Sequence, residues 1–219
     1  MSDIAWTIPV GGDSVSAAYT PATASGSDAV FVCAHGAGGN MNDRGMLATA
    51  AAMRAAGLSV VRFNFLYTEK KSGRPDPMPR LMETTTAVVA YVRAALTPTR
   101  IFIGGRSMGG RAASMLAANG YDADGLLLLA YPLHPAGQPE KLRDAHLSRI
   151  QMPVLCFNGT RDALCTLALM ERALATVTAP FTMHWVNDAD HSFHVLKRSG
   201  RTDAMVMEEI SDATRLWLE

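Results

Sequence analysis

The stretch RIFIGGRSMGGRAASMLAANG, Arg100 to Gly120, carries the decisive reading of the fold. It opens as a short apolar run of strand type and continues from Met108 as a helical pattern that ends at Gly120, a usual stop signal. Between them, four glycines, two arginines and one serine crowd into the eight residues from Gly104 to Arg111. A packed core turn has no need of that serine. Gly105-Arg106-Ser107-Met108-Gly109 is a GxSxG pattern at a strand-to-helix junction, where flanking glycines remove the Cβ atoms that would clash in a strained turn. A helix beginning at Met108 aims free N–H groups and its positive dipole end at Ser107.

Outward from this unit the chain alternates between short and long patterns. AVFVCAH, LSVVRFNF, RIFIGG, GLLLLAY, MPVLCFNG and FTMHWV are near-continuous apolar runs, as expected of strands buried on both faces. Helical stretches separate most of them: Arg44 to Ala56, Arg80 to Leu96, Met108 to Asn119 and Leu164 to Thr176, with a last one from Thr202-Asp203 to Leu218. AWTIPV and SVSAAYT, joined through Gly11-Gly12-Asp13, predict an N-terminal hairpin. The expectation is an α/β fold: about eight mostly parallel strands, covered by helices on both faces, forming a single domain over residues 1–219 with no large cap. Two segments break the rhythm, Leu66 to Pro79 and Pro132 to Gln151. The first follows a strand, so a rim or flap over a ligand crevice is one expectation for it.

Composition narrows the function. The chain has 219 residues, 48% hydrophobic and 18% charged, with Lys plus Arg equal to Asp plus Glu at 20 each, so neither nucleic acid nor an anionic membrane is expected as a partner. Cys33, Cys156 and Cys165 form an odd set at no metal-ligand spacing, and buried reduced thiols are expected. MSDIAWTIPVGG lacks the positive region and apolar core of a signal peptide, which points to a cytoplasmic protein.

A serine hydroxyl is a weak nucleophile until a base takes its proton, and that base needs an acid to orient it. In the α/β-hydrolase arrangement, which a GxSxG turn between strand and helix resembles, the order along the chain is serine, acid, histidine. Asp162, in NGTRDAL, and His191, in NDADHSFHV, each follow an apolar run, so both are expected at the sheet edge that holds Ser107. His194 is the rival base, and Asp188 and Asp190 are rival acids. An oxyanion formed on attack needs two N–H donors. The Met108 amide is one candidate; the loop His35-Gly36-Ala37-Gly38-Gly39-Asn40 supplies the other, with Ala37 preferred and Gly36 and Gly38 as alternatives. That loop lacks the GK[ST] of a nucleotide-binding P-loop. Arg106 and Arg111 sit at the positive end of a helix, where cations are disfavoured, and are candidate substrate-binding residues for an anionic group.

Together HGAGG, GGRSMGGR, TRD and DHSF resemble the α/β-hydrolase superfamily, and within it the small lidless dienelactone-hydrolase-like branch that includes testis-expressed and chromatin-complex-subunit relatives. The resemblance implies Ser107, Asp162 and His191 as a catalytic triad and Ala37 and Met108 as oxyanion donors. It implies a serine hydrolase of the carboxylesterase or thioesterase kind, acting on a small soluble substrate without metal or organic cofactor. Non-catalytic relatives keep a binding-subunit role open, and a peptidase or acyltransferase would share the site. One departure stands out: dienelactone hydrolases use cysteine as nucleophile, whereas this turn has Ser107.

Overall fold

The computed structural model describes residues 3–23 and 28–219. Eight strands form one sheet: β1 (Ile4–Val10), β2 (Asp13–Thr20), β3 (Ala29–Ala34), β4 (Ser59–Phe63), β5 (Arg100–Arg106), β6 (Gly125–Leu129), β7 (Val154–Gly159) and β8 (Phe181–Val186). Their spatial order is β1-β2-β4-β3-β5-β6-β7-β8. The hairpin β1–β2 and the β2–β4 pair are antiparallel; every later pairing is parallel. β3, β4, β6 and β7 are buried at every position, as their near-continuous apolar sequences require.

Six helices complete the fold: α1 (Arg44–Ala55), α2 (Leu66–Glu69), α3 (Met78–Leu96), α4 (Met108–Ala118), α5 (Leu167–Leu174) and α6 (Asp203–Leu218). The core is split by the sheet. On one face Val88 and Val89 of α3, Ala112 and Leu116 of α4 and Met170 of α5 pack together, and on the other Met46 and Met53 of α1 meet Val206 and Ile210 of α6. No helix among the described residues is long and apolar enough to cross a membrane.

Three details depart from the sequence reading. Helix α3 starts two residues before Arg80, because Pro79 fits the first helical turn, where its missing N–H costs nothing. Helix α5 starts at Leu167 rather than Leu164, since the Leu164 carbonyl accepts the His134 amide at 3.0 Å instead of an amide four residues on. Residues 66–79 are no flap: α2 occupies their start, the Tyr67 amide donates to Asp76 at 2.9 Å, and Glu69 accepts from the Ser16 amide at 2.8 Å. All three cysteines are free and buried, and burial pushes the Cys33 and Cys165 thiols up to about 12.

After β3 the chain runs outward to β4, then returns to place β5 on the other side of β3. This reversal opens a crevice at the carboxyl ends of β3 and β5. The two motif loops, 35–40 and 105–109, leave the sheet there.

Candidate active site

Ser107 occupies the turn between β5 and α4 with φ 48° and ψ −115°, a sparsely populated conformation for a residue with a side chain. Its own amide is tied to the Leu129 carbonyl at 2.9 Å, which fixes the turn against β6. Two glycines make that conformation possible. Gly105 has φ 144° and a Cβ there would collide with the Ala34 backbone; a Cβ on Gly109 would lie 2.6 Å from the carbonyl oxygens of both Ala34 and His35. The Ser107 turn is pressed onto the end of β3. A Cβ on Gly36 would touch the Ser107 Cβ at 3.4 Å.

His191 reaches Ser107 from the loop after β8: its Nε2 lies 2.9 Å from Ser107 Oγ. Its Nδ1 lies 2.8 Å from Asp162 Oδ2, on the loop after β7. The Asp162 carboxylate is fully enclosed, whereas the imidazole is 29% exposed. Enclosure is balanced by donors, as a buried charge requires: Asn158 Nδ2 donates to Oδ2 at 3.1 Å and the Leu164 amide to Oδ1 at 2.8 Å. With both Asp162 oxygens accepting, His191 is the Nδ1–H donor, leaving the Nε2 lone pair for the serine proton. The two loops are held together by backbone bonds, Arg161 N–H to Ala189 and Thr160 N–H to Val186.

The rival residues have other duties. His194 Nδ1 lies 3.0 Å from Asp203 at the start of α6. Asp190 Oδ1 accepts the amides of Ser192 and His194, closing the turn that carries His191. Asp188 lies on the exposed side with φ 60°.

Two further residues brace these parts: Asn158, which the sequence did not single out, and His35, which it placed only as the first residue of the glycine loop. Asn158, fully buried at the end of β7, bonds both the Tyr131 backbone and Asp162. His35 acts on the glycine loop: its Nε2 accepts the Phe65 amide at 3.2 Å, so Nδ1 carries the proton and donates to the Gly36 carbonyl at 2.8 Å. Burial, opposed by that bond, lowers the His35 pKa and favours this neutral form. The Gly36–Ala37 peptide is trans, so with its carbonyl turned to His35 the Ala37 N–H faces the other way. The glycine after the strand run and the asparagine in FNG were the only sequence hints of either role.

Ser107, His191 and Ala37 open onto a cleft of about 890 Å³, whose walls include Arg106, Phe193 and Met207. The Arg106 guanidinium lies 5.3 Å from the Phe193 ring centre and donates to Thr49 at 3.2 Å; among the described residues no carboxylate lies within ion-pairing distance. Burial lowers its pKa, while Cys33, Asp43 and Asp190 act in the opposite sense. Arg111 is elsewhere. It projects from α4 into a separate pocket on the opposite face of the sheet, so the two arginines of GGRSMGGR do not share a site. Among the described residues, no group of three or more His, Cys, Asp or Glu side chains is placed to hold a metal ion.

A family model described as an alpha/beta hydrolase domain matches residues 27–219. The chain belongs to that family. Solved structures agree on the fold of this hydrolase domain. A serine hydrolase homologue from Coxiella burnetii superposes with a TM-score of 0.80 at 21% identity, covering 97% of this chain and 98% of that one. A serine hydrolase without lid from Xanthomonas campestris gives 0.80 at 23% identity, covering 99% and 95%. Dienelactone hydrolase from Anabaena variabilis gives 0.75 at 19% identity, covering 96% and 95%.

Proposed function

We propose that this alpha/beta hydrolase cleaves an ester or thioester of a small soluble substrate through an acyl-enzyme on Ser107. The observation that carries the reading is the relay from enclosed Asp162 through His191 to Ser107, at 2.8 and 2.9 Å, opening on a cleft. Ser107 attacks the carbonyl carbon as His191 Nε2 takes its proton, and the imidazolium then returns that proton to the leaving alcohol or thiol. Water deprotonated by His191 releases the acid and restores Ser107. Asp162 holds the productive tautomer and offsets the charge on the ring. The Ala37 and Met108 amides bind the oxyanion: the first is oriented by His35 through the shared peptide, and the second heads α4, where N–H groups have no helical acceptor. Arg106, whose guanidinium lines the cleft without a carboxylate partner, binds an anionic part of the substrate.

A fluorophosphonate probe tests the nucleophile. Labelling of the wild type at Ser107, absent in folded Ser107→Ala, is expected; no labelling of folded wild type would remove the catalytic reading and leave a binding subunit. A panel of acyl esters and thioesters, each with neutral and carboxylate-bearing members, tests the substrate class. Arg106→Gln should raise KM for the charged members only, and an equal change for both would refute the role given to Arg106.

A further inference from the structure

On the face of the sheet opposite α1 and α6, Arg111 and Met115 of α4 meet Leu142, Arg143, His146 and Arg149 around a pocket of about 300 Å³. None of these residues lines the cleft of Ser107. Three arginines therefore line one small space, and among the described residues none of them makes an ion pair. Arg111 Nε is buried with no hydrogen-bond partner, a costly state for a cationic donor. Arg143 reaches the Pro132 carbonyl at 3.5 Å, the outer limit of a hydrogen bond.

Arg62, Arg80, Arg93, Arg201 and Arg215 each pair with a carboxylate, whereas Arg111, Arg143 and Arg149 go without one while lining the same pocket. A cluster of like charges with unspent donors is repulsive unless an anion joins it. The wall of the pocket is also tuned: His146 Nε2 lies 2.7 Å from Ser114 Oγ, and Ser114 donates to the Arg111 carbonyl at 2.8 Å. Burial, then the charges of Arg111 and Arg149, lower the His146 pKa to about 4, with Asp144 acting in the opposite sense. His146 adds no fourth positive charge, and its ring closes the floor.

We propose that the Arg111–Arg143–Arg149 pocket binds a phosphate group, either inorganic phosphate or the phosphate monoester of a small metabolite. A phosphate presents three terminal oxygens and close to two negative charges, which match several planar guanidinium forks better than the two oxygens of a carboxylate do. The pocket's volume leaves room beside the phosphate for a small organic portion. The equal numbers of basic and acidic residues give no extended positive surface, so a polynucleotide does not fit the same pattern. This site is independent of the reading of Ser107.

The full-length chain is titrated at about neutral pH and constant ionic strength with inorganic phosphate in one arm and glycerol phosphate in the other, by calorimetry and by NMR of the His146 ring. Saturable one-to-one binding in at least one arm is expected, with movement of the His146 signals. The tighter arm identifies the source. Arg143→Gln/Arg149→Gln should weaken binding at least tenfold, whereas Ser107→Ala and Arg106→Gln should leave it unchanged. Should the double variant misfold, Arg149→Glu, at an exposed position, takes its place with the same expectation. Binding that survives these changes but fails in Arg106→Gln would put the anion in the cleft and overturn the proposal. So would the absence of saturable binding in both arms at millimolar concentration.

Discussion

Replacing Asp162 by asparagine changes one atom and should disable the site without dismantling it. Three donors converge on the carboxylate: His191 Nδ1 and Asn158 Nδ2 on Oδ2, and the Leu164 amide on Oδ1. A carboxamide has only one acceptor oxygen. If its NH₂ takes the Oδ2 position, it faces Asn158 Nδ2 and the His191 Nδ1–H; if it is flipped, it faces the Leu164 N–H. The imidazole can relieve the first conflict by moving its proton to Nε2, so that Nδ1 accepts from the new NH₂. His191 then presents a donor to Ser107, the opposite of what a general base must do. A wrong tautomer of this kind costs about 10⁴ in kcat, or about 5.4 kcal/mol of barrier. The remaining unmatched buried donor costs roughly 1–3 kcal/mol of stability, which a folded domain of this size tolerates. The assay is steady-state hydrolysis of an activated acetyl ester with folding checked by circular dichroism. A folded Asp162→Asn protein with kcat within tenfold of wild type would refute the tautomer argument.

Other substitutions probe the parts around the relay. His35→Phe removes the donor that turns the Gly36 carbonyl inward, so kcat should fall about 10–10³-fold with little change in KM; unaltered kcat would show that the Ala37 N–H needs no such support. Gly105→Ala places a Cβ into the Ala34 backbone at a φ of 144°, and should cost more than about 3 kcal/mol in urea unfolding or prevent folding. A variant with near wild-type stability would contradict that account of the turn. His146 is depressed to about 4 from an ordinary 6.5, by burial first and then by Arg111 and Arg149. Between those values the unfolded chain binds the extra proton, so stability should be fully present above about pH 6.5 and fall on acidification, by up to about 3 kcal/mol near pH 4. His146→Gln should flatten that slope in urea titrations, and parallel slopes would show that His146 is not its source.

The strand pattern was readable because burial on both faces leaves near-continuous apolar runs: β3 and β6 hold no charged or polar side chain, and β4 and β7 are interrupted only by Ser59, Arg62 and Asn158. Helix ends were less readable. Leu164 has a helix-forming side chain, yet its carbonyl serves the His134 amide, and α5 waits until Leu167. The polar composition of residues 66–79 suggested freedom, but cross-chain bonds from Ser16 to Glu69 and within the loop from Tyr67 to Asp76 restrain it. Such bonds leave no local trace.

The sequence by itself determined the order of elements, the strained serine turn and the family to which the chain belongs. The first two rest on local physics, period, burial and the few residues that a strained turn accepts, and the family on the resemblance of four short motifs. Only the tertiary structure decided what those parts meet. Asn158 and His35 act through single hydrogen bonds to partners fixed by sheet register and loop packing, so their residue types alone say nothing of the role. The two arginines of GGRSMGGR show the same limit most plainly. Five residues apart, they are sent to opposite faces of the sheet because a strand ends and a helix begins between them, one entering the cleft of Ser107 and the other the arginine pocket.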